Sequence, residues 1–251
     1  MLAVRVIPCL DVDDGVVVKG TRFKDLRTSG DPAELARLYD AQGADELCFL
    51  DIGATPASRA TMVSIVEKVS DQVFVPLSVG GGIRSEEDMR RLLNAGADKV
   101  SVCSAAIRDP DLLARGARIF GSQCIVLSID AKRSGGSWRA WTGGGREDSG
   151  LDAVDWAVRG AKLGAGEILL NSIDRDGTKE GYDIDLVRAV SDRVSIPVIA
   201  SGGAGTPEQI LDVIREGRAD AVLLASLFHE KKLTVREIKS GLAEKGVPVR
   251  W

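Results

Sequence analysis

Short apolar segments rich in β-branched residues recur along the chain, and amphipathic segments of helical period separate them. Eight of the apolar segments predict buried strands: Val4–Leu10, Glu46–Asp51, Val75–Val79, Lys99–Val102, Cys124–Asp130, Glu167–Ser172, Pro197–Ser201 and Ala221–Ala225. The helical pattern is clearest in Pro32–Gln42, Glu86–Ala95, Ala153–Leu163 and Pro207–Glu216. Strands that alternate with helices pair in parallel through right-handed crossovers. The pattern therefore predicts an α/β protein, a (β/α)8 TIM barrel. An open doubly wound sheet would usually bring a GxGxxG turn, which the sequence lacks.

The sequence also repeats internally at an interval of about 120 residues. Val79-Gly80-Gly81 aligns with Ser201-Gly202-Gly203, and Ala97-Asp98 aligns with Ala219-Asp220. This repeat predicts two half-barrels, at about residues 1–120 and 121–251, each with four strands. Neither half can close alone, so we expect residues 1–251 to form one domain.

Composition narrows the possible classes of function. The 251 residues carry a net charge of −4, only 4% are aromatic, and His229 is the one histidine. This balance argues against a nucleic-acid surface, and no apolar run is long enough to span a bilayer or to act as a signal peptide. We expect a cytoplasmic protein without a membrane segment. The four cysteines form no CxxC pair, so we expect reduced thiols, no metal and no cofactor. Because there is one histidine, we expect any acid–base catalysis to use carboxylates or lysines.

Alternation along the predicted strands places two aspartates at the mouth of the barrel. Asp11 ends the first strand and Asp130 ends the fifth, which lie opposite each other in an eight-strand barrel. Two carboxylates across one mouth suit general acid–base catalysis on a substrate held between them. The alternative is that each is an ordinary strand-end aspartate paired with a loop group.

The same alternation predicts a charged floor and a polar mouth. Inward residues at the strand starts are Arg5, Glu46, Lys99 and Glu167, and inward residues at the strand ends include Cys103, Asp130, Asn171 and Ser201. The floor charges fit a salt-bridged plug or a polar ring that closes an axial passage, and composition does not choose between them.

Two glycine-rich turns, Gly80-Gly81-Gly82 and Gly202-Gly203-Ala204-Gly205, occupy equivalent places in the two halves. Each is followed, one strand later, by a serine, Ser104 or Ser226. Backbone amides in such turns bind anions, so the pair predicts a substrate with a phosphate at each end. Residues 13–31 and 132–149 read as long mouth loops that could serve as lids, and Lys19 is a candidate phosphate contact.

Several motifs together are typical of one family. They are Pro8-Cys9-Leu10-Asp11-Val12, Val18-Lys19-Gly20, Gly80-Gly81-Gly82, Ile129-Asp130-Ala131-Lys132, Ser172-Ile173-Asp174-Arg175-Asp176-Gly177-Thr178 and Ala200-Ser201-Gly202-Gly203-Ala204-Gly205. Over essentially its whole length, the chain resembles the cyclase subunits of imidazole glycerol phosphate synthase, from histidine biosynthesis.

The resemblance implies an activity and a set of partners. Family members take the ribulosyl form of an aminoimidazole carboxamide ribotide bisphosphate, add ammonia, close an imidazole ring and release imidazole glycerol phosphate and the carboxamide ribotide. Such a cyclase is a lyase. The resemblance also implies that a glutaminase subunit docks at the N-terminal face of the barrel and supplies the ammonia.

The resemblance further implies roles for individual residues. Asp11 and Asp130 match the acid–base pair, Lys19 a loop lysine, and Asp51 a mouth carboxylate. Positions around one phosphate are matched by Asp176, Gly177, Ser201, Gly203 and Ser226, and positions around the other by Gly82 and Ser104. The floor gate for ammonia is matched by Arg5, Glu46, Lys99 and Glu167.

The chain departs from the family pattern at two substrate-site positions. Cys103 stands where members usually have asparagine in the first phosphate site, and a thiol is a poorer hydrogen-bond partner than an amide. Asn171 stands where threonine is common. Two alternatives to the cyclase are the isomerase of the preceding step, which also binds two phosphates but needs no ammonia, and a catalytically idle barrel that serves the glutaminase as a scaffold.

Overall fold

In this computed structural model the described residues are 2–21, 24–53, 56–229 and 232–251, without the side chains at 19–21, 24–27 and 56–61. Within these residues the fold consists of twelve strands and ten helices. The strands are β1 (Arg5–Asp13), β2 (Val16–Thr21), β3 (Lys24–Gly30), β4 (Leu47–Asp51), β5 (Leu77–Gly80), β6 (Lys99–Val102), β7 (Ile125–Ser134), β8 (Ser137–Thr142), β9 (Glu147–Asp152), β10 (Glu167–Ser172), β11 (Val198–Ser201) and β12 (Ala221–Leu224). The helices are α1 (Pro32–Ala41), α2 (Pro56–Ser70), α3 (Glu86–Asn94), α4 (Ser104–Arg108), α5 (Asp111–Phe120), α6 (Ala153–Lys162), α7 (Ile184–Ser191), α8 (Pro207–Arg215), α9 (Ser226–His229) and α10 (Val235–Glu244).

The predicted fold class is confirmed as a (β/α)8 barrel. Its eight parallel strands are β1, β4, β5, β6, β7, β10, β11 and β12, and each of them overlaps one of the eight predicted segments. The fifth strand begins at Ile125, one residue later than expected, because Ser122–Cys124 forms a short 3-10 turn.

The two long segments predicted as loops contain antiparallel strands instead. β1 continues beyond Asp11 and pairs with β2, which pairs with β3. Asp14 and Gly15 both have positive φ, as expected for the two central residues of a tight hairpin turn. In the second segment, β7 pairs with β8, and β8 pairs with β9. The prediction of loops was wrong, because antiparallel pairing gives the backbone N–H and C=O groups of these long segments their hydrogen-bond partners.

Residue contacts divide the chain into two compact units: unit 1 comprises Met1–Val100 with Leu223–Trp251, and unit 2 comprises Ser101–Val222. These bounds differ from those of the sequence repeat, and the single-domain organisation stays a prediction. In unit 1, β4 pairs in parallel with both β1 and β5, and α10 packs against β1. Its buried side chains include Ile7, Leu10 and Phe49.

Unit 2 has its own parallel ladder, in which β10 lies between β7 and β11. The apolar side chains of Ile125, Leu127 and Ile129 on β7 are buried, and so is Trp156 of α6. Gly160 lets α6 approach this strand closely, because a Cβ at that position would lie 2.1 Å from Leu127 Cδ2. Helices packed on a parallel ladder leave its strand ends available for a site.

Within the described residues, no helix is both long enough and apolar enough to cross a membrane.

Candidate active site

Asp130 lies at the centre of a hydrogen-bonded cluster at the carboxyl ends of the strands of unit 2. Asn171 Nδ2 donates to Asp130 Oδ1 at 3.1 Å, and Cys103 Sγ lies 3.8 Å from Asp130 Oδ2 as a weak donor. Ser201 Oγ in turn donates to Asn171 Oδ1 at 3.2 Å. The alternation of side chains had placed these four residues on the inward face of their strands, and their contacts agree with it.

The surroundings of Asp130 favour its protonated form. Burial raises the pKa of this carboxyl above its ordinary value, and the negative charge of Asp176 raises it further. The hydrogen bonds from Asn171 and Cys103 act in the opposite direction without cancelling the rise. A carboxyl with a raised pKa is a stronger base when it is ionised, and it keeps its proton over a wider range of pH.

The thiol of Cys103 stays protonated. Burial raises its pKa, and the nearby charge of Asp130 raises it further. Cys103 is therefore a neutral neighbour of the carboxylate and not a nucleophile.

Other predicted site residues of unit 2 lie in the turns and helix starts that follow its strands. Ser104 begins α4, and its Oγ accepts a hydrogen bond of 3.0 Å from the backbone of Gly143, just after β8. Asp176 and Gly177 lie in the turn after β10, where Gly177 has a φ of +72°. Gly203 follows β11, and a Cβ there would lie 2.2 Å from the carbonyl oxygen of Gly181.

The hairpin after β7 brings an aromatic side chain beside Asp130, which sequence analysis missed. Trp141 is the direct partner of Asp130 in the β7–β8 register, so both side chains lie on the same face. The ammonium of Lys132 lies 4.6 Å from the centre of the Trp141 ring, a cation–π contact. The sequence signal was the extended polar–apolar pattern of Ser137–Thr142 after Gly135-Gly136, which is typical of a hairpin.

The second predicted catalytic residue, Asp11, lies in unit 1 near the end of β1. It pairs in register with Leu50 of β4 and with Val18 of β2. Cys9 Sγ lies 3.7 Å from Asp11 Oδ1 on the same face of the strand. Asp11 is partly exposed, so its carboxylate is accessible to a ligand.

Three of the four predicted floor residues are in direct contact within unit 1. Glu46 Oε2 accepts from Arg5 Nη1 and from Lys99 Nζ, each at 2.8 Å. The side chain of Glu46 is only 2% exposed, and those of Arg5 and Lys99 are 15% exposed. The fourth, Glu167, begins β10 in unit 2 and is partly buried.

The glycine-rich turn Gly80-Gly81-Gly82, in unit 1, approaches the backbone at the end of β4. A Cβ on Gly81 would lie 2.1 Å from the carbonyl oxygen of Asp51, so only glycine fits there. Gly82 has a φ of +67°, and Asp51 is buried. Lys19 lies in β2, but its side chain is outside the described residues.

The histidine has a structural role next to β1. Its Nε2 lies 3.0 Å from the carbonyl oxygen of Cys9, which only accepts, so His229 Nε2 carries a proton. Nδ1 lies 3.0 Å from the hydroxyl of Tyr39. His229 thereby ties α9, which Ser226 begins, to the strand that carries Asp11.

Among the described residues, no group of three or more His, Cys, Asp and Glu side chains is arranged to hold a metal ion. The candidate site consists of carboxylates, glycine turns and hydroxyls at strand ends, which is the place where (β/α)8-barrel enzymes have their active sites.

Comparison with known proteins identifies the family. The family model described as histidine biosynthesis protein matches residues 5–234. Two relatives from Dehalococcoides mccartyi, strains BAV1 and CBDB1, are each named imidazole glycerol phosphate synthase subunit HisF. Each is 60% identical over 250 residues, which cover 100% of this chain and 99% of the relative. The subunit of the same name from strain 195 is 59% identical over the same length. The chain belongs to the histidine biosynthesis protein family, and within it to the HisF subunits of imidazole glycerol phosphate synthase, so the resemblance found in its motifs is confirmed.

Proposed function

We propose that this chain is the ammonia-dependent cyclase of imidazole glycerol phosphate synthase. The substrate is the ribulosyl aminoimidazole carboxamide ribotide bisphosphate, and the products are imidazole glycerol phosphate and the carboxamide ribotide. The observation that carries this proposal is the full-length identity of 60% to subunits of that name. The site supports it, because a carboxyl with a raised pKa, Asp130, stands where the family motif has its acid–base residue.

In this proposal, Asp11 and Asp130 move protons during ammonia addition and ring closure. Nucleophilic nitrogen must lose a proton as it bonds to carbon, and the departing groups must gain one, so a reaction of this kind needs both an acid and a base. A carboxyl whose ionised and neutral forms lie close in energy serves in either role.

The two phosphates of the substrate are assigned to the glycine turns and hydroxyls. Gly82 and Ser104 contribute to one phosphate site, and Asp176, Gly177, Ser201, Gly203 and Ser226 surround the other. Cys103, Lys19 and Asp51 complete the substrate contacts, and Asn171 lies beside them with its amide bonded to Asp130. Positive φ values at Gly82 and Gly203 support this assignment, since such turns leave backbone amides available for anions.

We also propose that ammonia comes from a glutaminase subunit docked at the N-terminal ends of the strands and enters through Arg5, Glu46, Lys99 and Glu167. An exposed aromatic side chain of unit 1 supports this docking face. A surface pocket of about 260 Å³ lies before β5 and β6, with Phe74, Leu77 and Asp98 in its lining. Phe74 is 94% exposed, so its ring is available for burial against a partner that docks at this face.

The docking face is tested by replacing Phe74 with aspartate and measuring the affinity for the glutaminase subunit by calorimetry. We expect the affinity to fall at least tenfold, which corresponds to losing one buried aromatic contact. The control is Val16→Asp, because Val16 is an exposed apolar residue of β2 in the hairpin that follows β1. Unchanged affinity of Phe74→Asp would move the docking face elsewhere.

The activity is tested by incubating the purified chain with the bisphosphate and an ammonium salt at alkaline pH, where free ammonia is plentiful. Formation of imidazole glycerol phosphate supports the proposal. Conversion of the earlier precursor in place of this reaction would identify the chain as the isomerase of the preceding step. If neither compound is converted, the chain would be a catalytically idle scaffold for the glutaminase.

A further inference from the structure

A chain of hydrogen bonds runs across three neighbouring strands of unit 2 and ends on Asp130. Ser201 on β11 donates to Asn171 on β10, and Asn171 donates to Asp130 on β7. The strand registers pair Asn171 with Asp130 on one side and with Ser201 on the other. The amide of Asn171 is therefore held between its two partners by the ladder itself.

The chemistry of these groups fixes the direction of the chain. While Asp130 is ionised, the amide oxygen of Asn171 cannot face its carboxylate oxygen, because both are acceptors. The NH2 group must point to Asp130 Oδ1, which leaves the amide oxygen for Ser201. The hydroxyl of Ser201 must then donate, which locks the orientation of the amide.

We propose that Asn171 is a positioning residue that determines which oxygen of Asp130 carries the transferred proton. An NH2 group can only donate, and the carbonyl oxygen of a neutral acid accepts a hydrogen bond better than its hydroxyl oxygen does, so Oδ1, which the NH2 group faces, is the oxygen left without the proton. The proton of the neutral acid therefore sits on Oδ2. This inference rests on the proposed function only in that Asp130 acts as an acid or a base there.

The neighbour of Oδ2 tolerates both protonation states. Cys103 Sγ lies 3.8 Å away, and a thiol is a weak donor to a carboxylate and a weak acceptor from a carboxylic acid. The raised pKa of Cys103 keeps its proton in place, so the thiol brings no competing charge. Among the described residues, the carboxylate of Asp176, which follows β10, also acts on Asp130 and favours its neutral form.

The Asn171 bond predicts a measurable change in the titration of Asp130. Aspartate carboxyl carbons labelled with carbon-13 report this titration by NMR, and Asp130→Asn assigns the signal. A hydrogen bond donated to the ionised form lowers a pKa, so Asn171→Leu should raise the pKa of Asp130 by about one pH unit. Asn171→Thr keeps a hydroxyl donor and should show a smaller rise.

The control is Asn94→Leu. Asn94 is the one other asparagine of the chain, and it is exposed at the end of α3. This variant should leave the pKa of Asp130 unchanged. If Asn171→Leu does not fold, Ser201→Ala tests the same chain one step further out, with a smaller rise expected. An unchanged pKa of Asp130 in Asn171→Leu, or in Ser201→Ala when that variant replaces it, would overturn the proposal.

Turnover gives a second readout, with free ammonia held constant at each pH. In Asn171→Leu, kcat should fall about tenfold while KM changes little, because the amide acts through Asp130. The limb of the pH profile that belongs to Asp130 should move to higher pH, whether this residue is the acid or the base. A raised KM with unchanged kcat would make Asn171 a substrate-binding residue and refute the positioning role. Absence of cyclase activity in the unmodified chain would refute the proposed function, while the NMR titration would still test the hydrogen bond.

Discussion

Replacing Glu46 with leucine should destabilise the protein strongly, because Glu46 is the shared counter-charge of Arg5 and Lys99. Both cationic nitrogens lie 2.8 Å from the same oxygen, and the side chain of Glu46 is only 2% exposed, so the substitution removes one buried ionic contact from each cation. Removing one partner of a buried ion pair costs about 3–5 kcal/mol.

The assay is thermal unfolding followed by circular dichroism. For a chain of this length, 1 kcal/mol changes Tm by about 2–4 °C, so we expect Glu46→Leu to lower Tm by about 10 °C. The matched control is Glu87→Leu, which breaks an exposed pair with Arg91 and should change stability by less than about 0.5 kcal/mol.

A triple variant checks the physical reason. Exchanging Arg5, Glu46 and Lys99 together for methionine, leucine and methionine removes both cations together with the carboxylate that they share. It should be more stable than Glu46→Leu alone. A Tm within 2 °C of the unmodified chain for Glu46→Leu, about the effect of 1 kcal/mol, or a triple variant that is less stable still, would refute the electrostatic reasoning.

Three further predictions follow from other contacts. Lys239→Met leaves the carboxylate of Asp45 buried without the ammonium that lies 2.8 Å from it, and urea unfolding should show a loss of about 3–5 kcal/mol; an equal stability would contradict this. Gly160→Ala forces a methyl group against Leu127 and should cost about 1–3 kcal/mol in the same assay, whereas no loss would mean that α6 shifts freely. The amides of the first turn of α1, with the Glu34 amide foremost, lower the pKa of Asp31, so its stabilisation is present at neutral pH and is lost as the pH falls below 3.8, the ordinary pKa of an aspartate. Asp31→Asn should flatten this part of the curve of stability against pH, and an unchanged curve would remove Asp31 as its source.

The positions of the parallel strands could be predicted from sequence because burial on both faces leaves a clear apolar signature. β6 and β10 have the predicted bounds, Lys99–Val102 and Glu167–Ser172. The hairpins after β1 and β7 were missed because their strands are only six or seven residues long and lie in segments whose glycines were interpreted as signs of a loop. The Asp14-Gly15 turn was the available signal, since this dipeptide between extended segments is typical of a hairpin.

Some features of the candidate site could likewise be predicted from sequence, and others could not. Side-chain alternation was enough to bring Asp130 and Asn171 to one face, because strands have a strict period of two. It could not reveal that Asn171 donates to Asp130, or that Glu46 holds both of its cations on one oxygen, because these bonds depend on rotamers. The buried pair of Asp45 and Lys239 joins distant parts of the sequence and has no local signal.

The most direct test of the central claim follows the nitrogen atom. The purified chain is incubated with the bisphosphate and nitrogen-15 ammonium chloride, and both products are examined by mass spectrometry, beside an Asp130→Asn variant. The account predicts one nitrogen-15 label in imidazole glycerol phosphate, none in the carboxamide ribotide, and a rate at least a hundredfold lower in the variant. Unlabelled product, or an Asp130→Asn variant that is as fast as the unmodified chain, would contradict it.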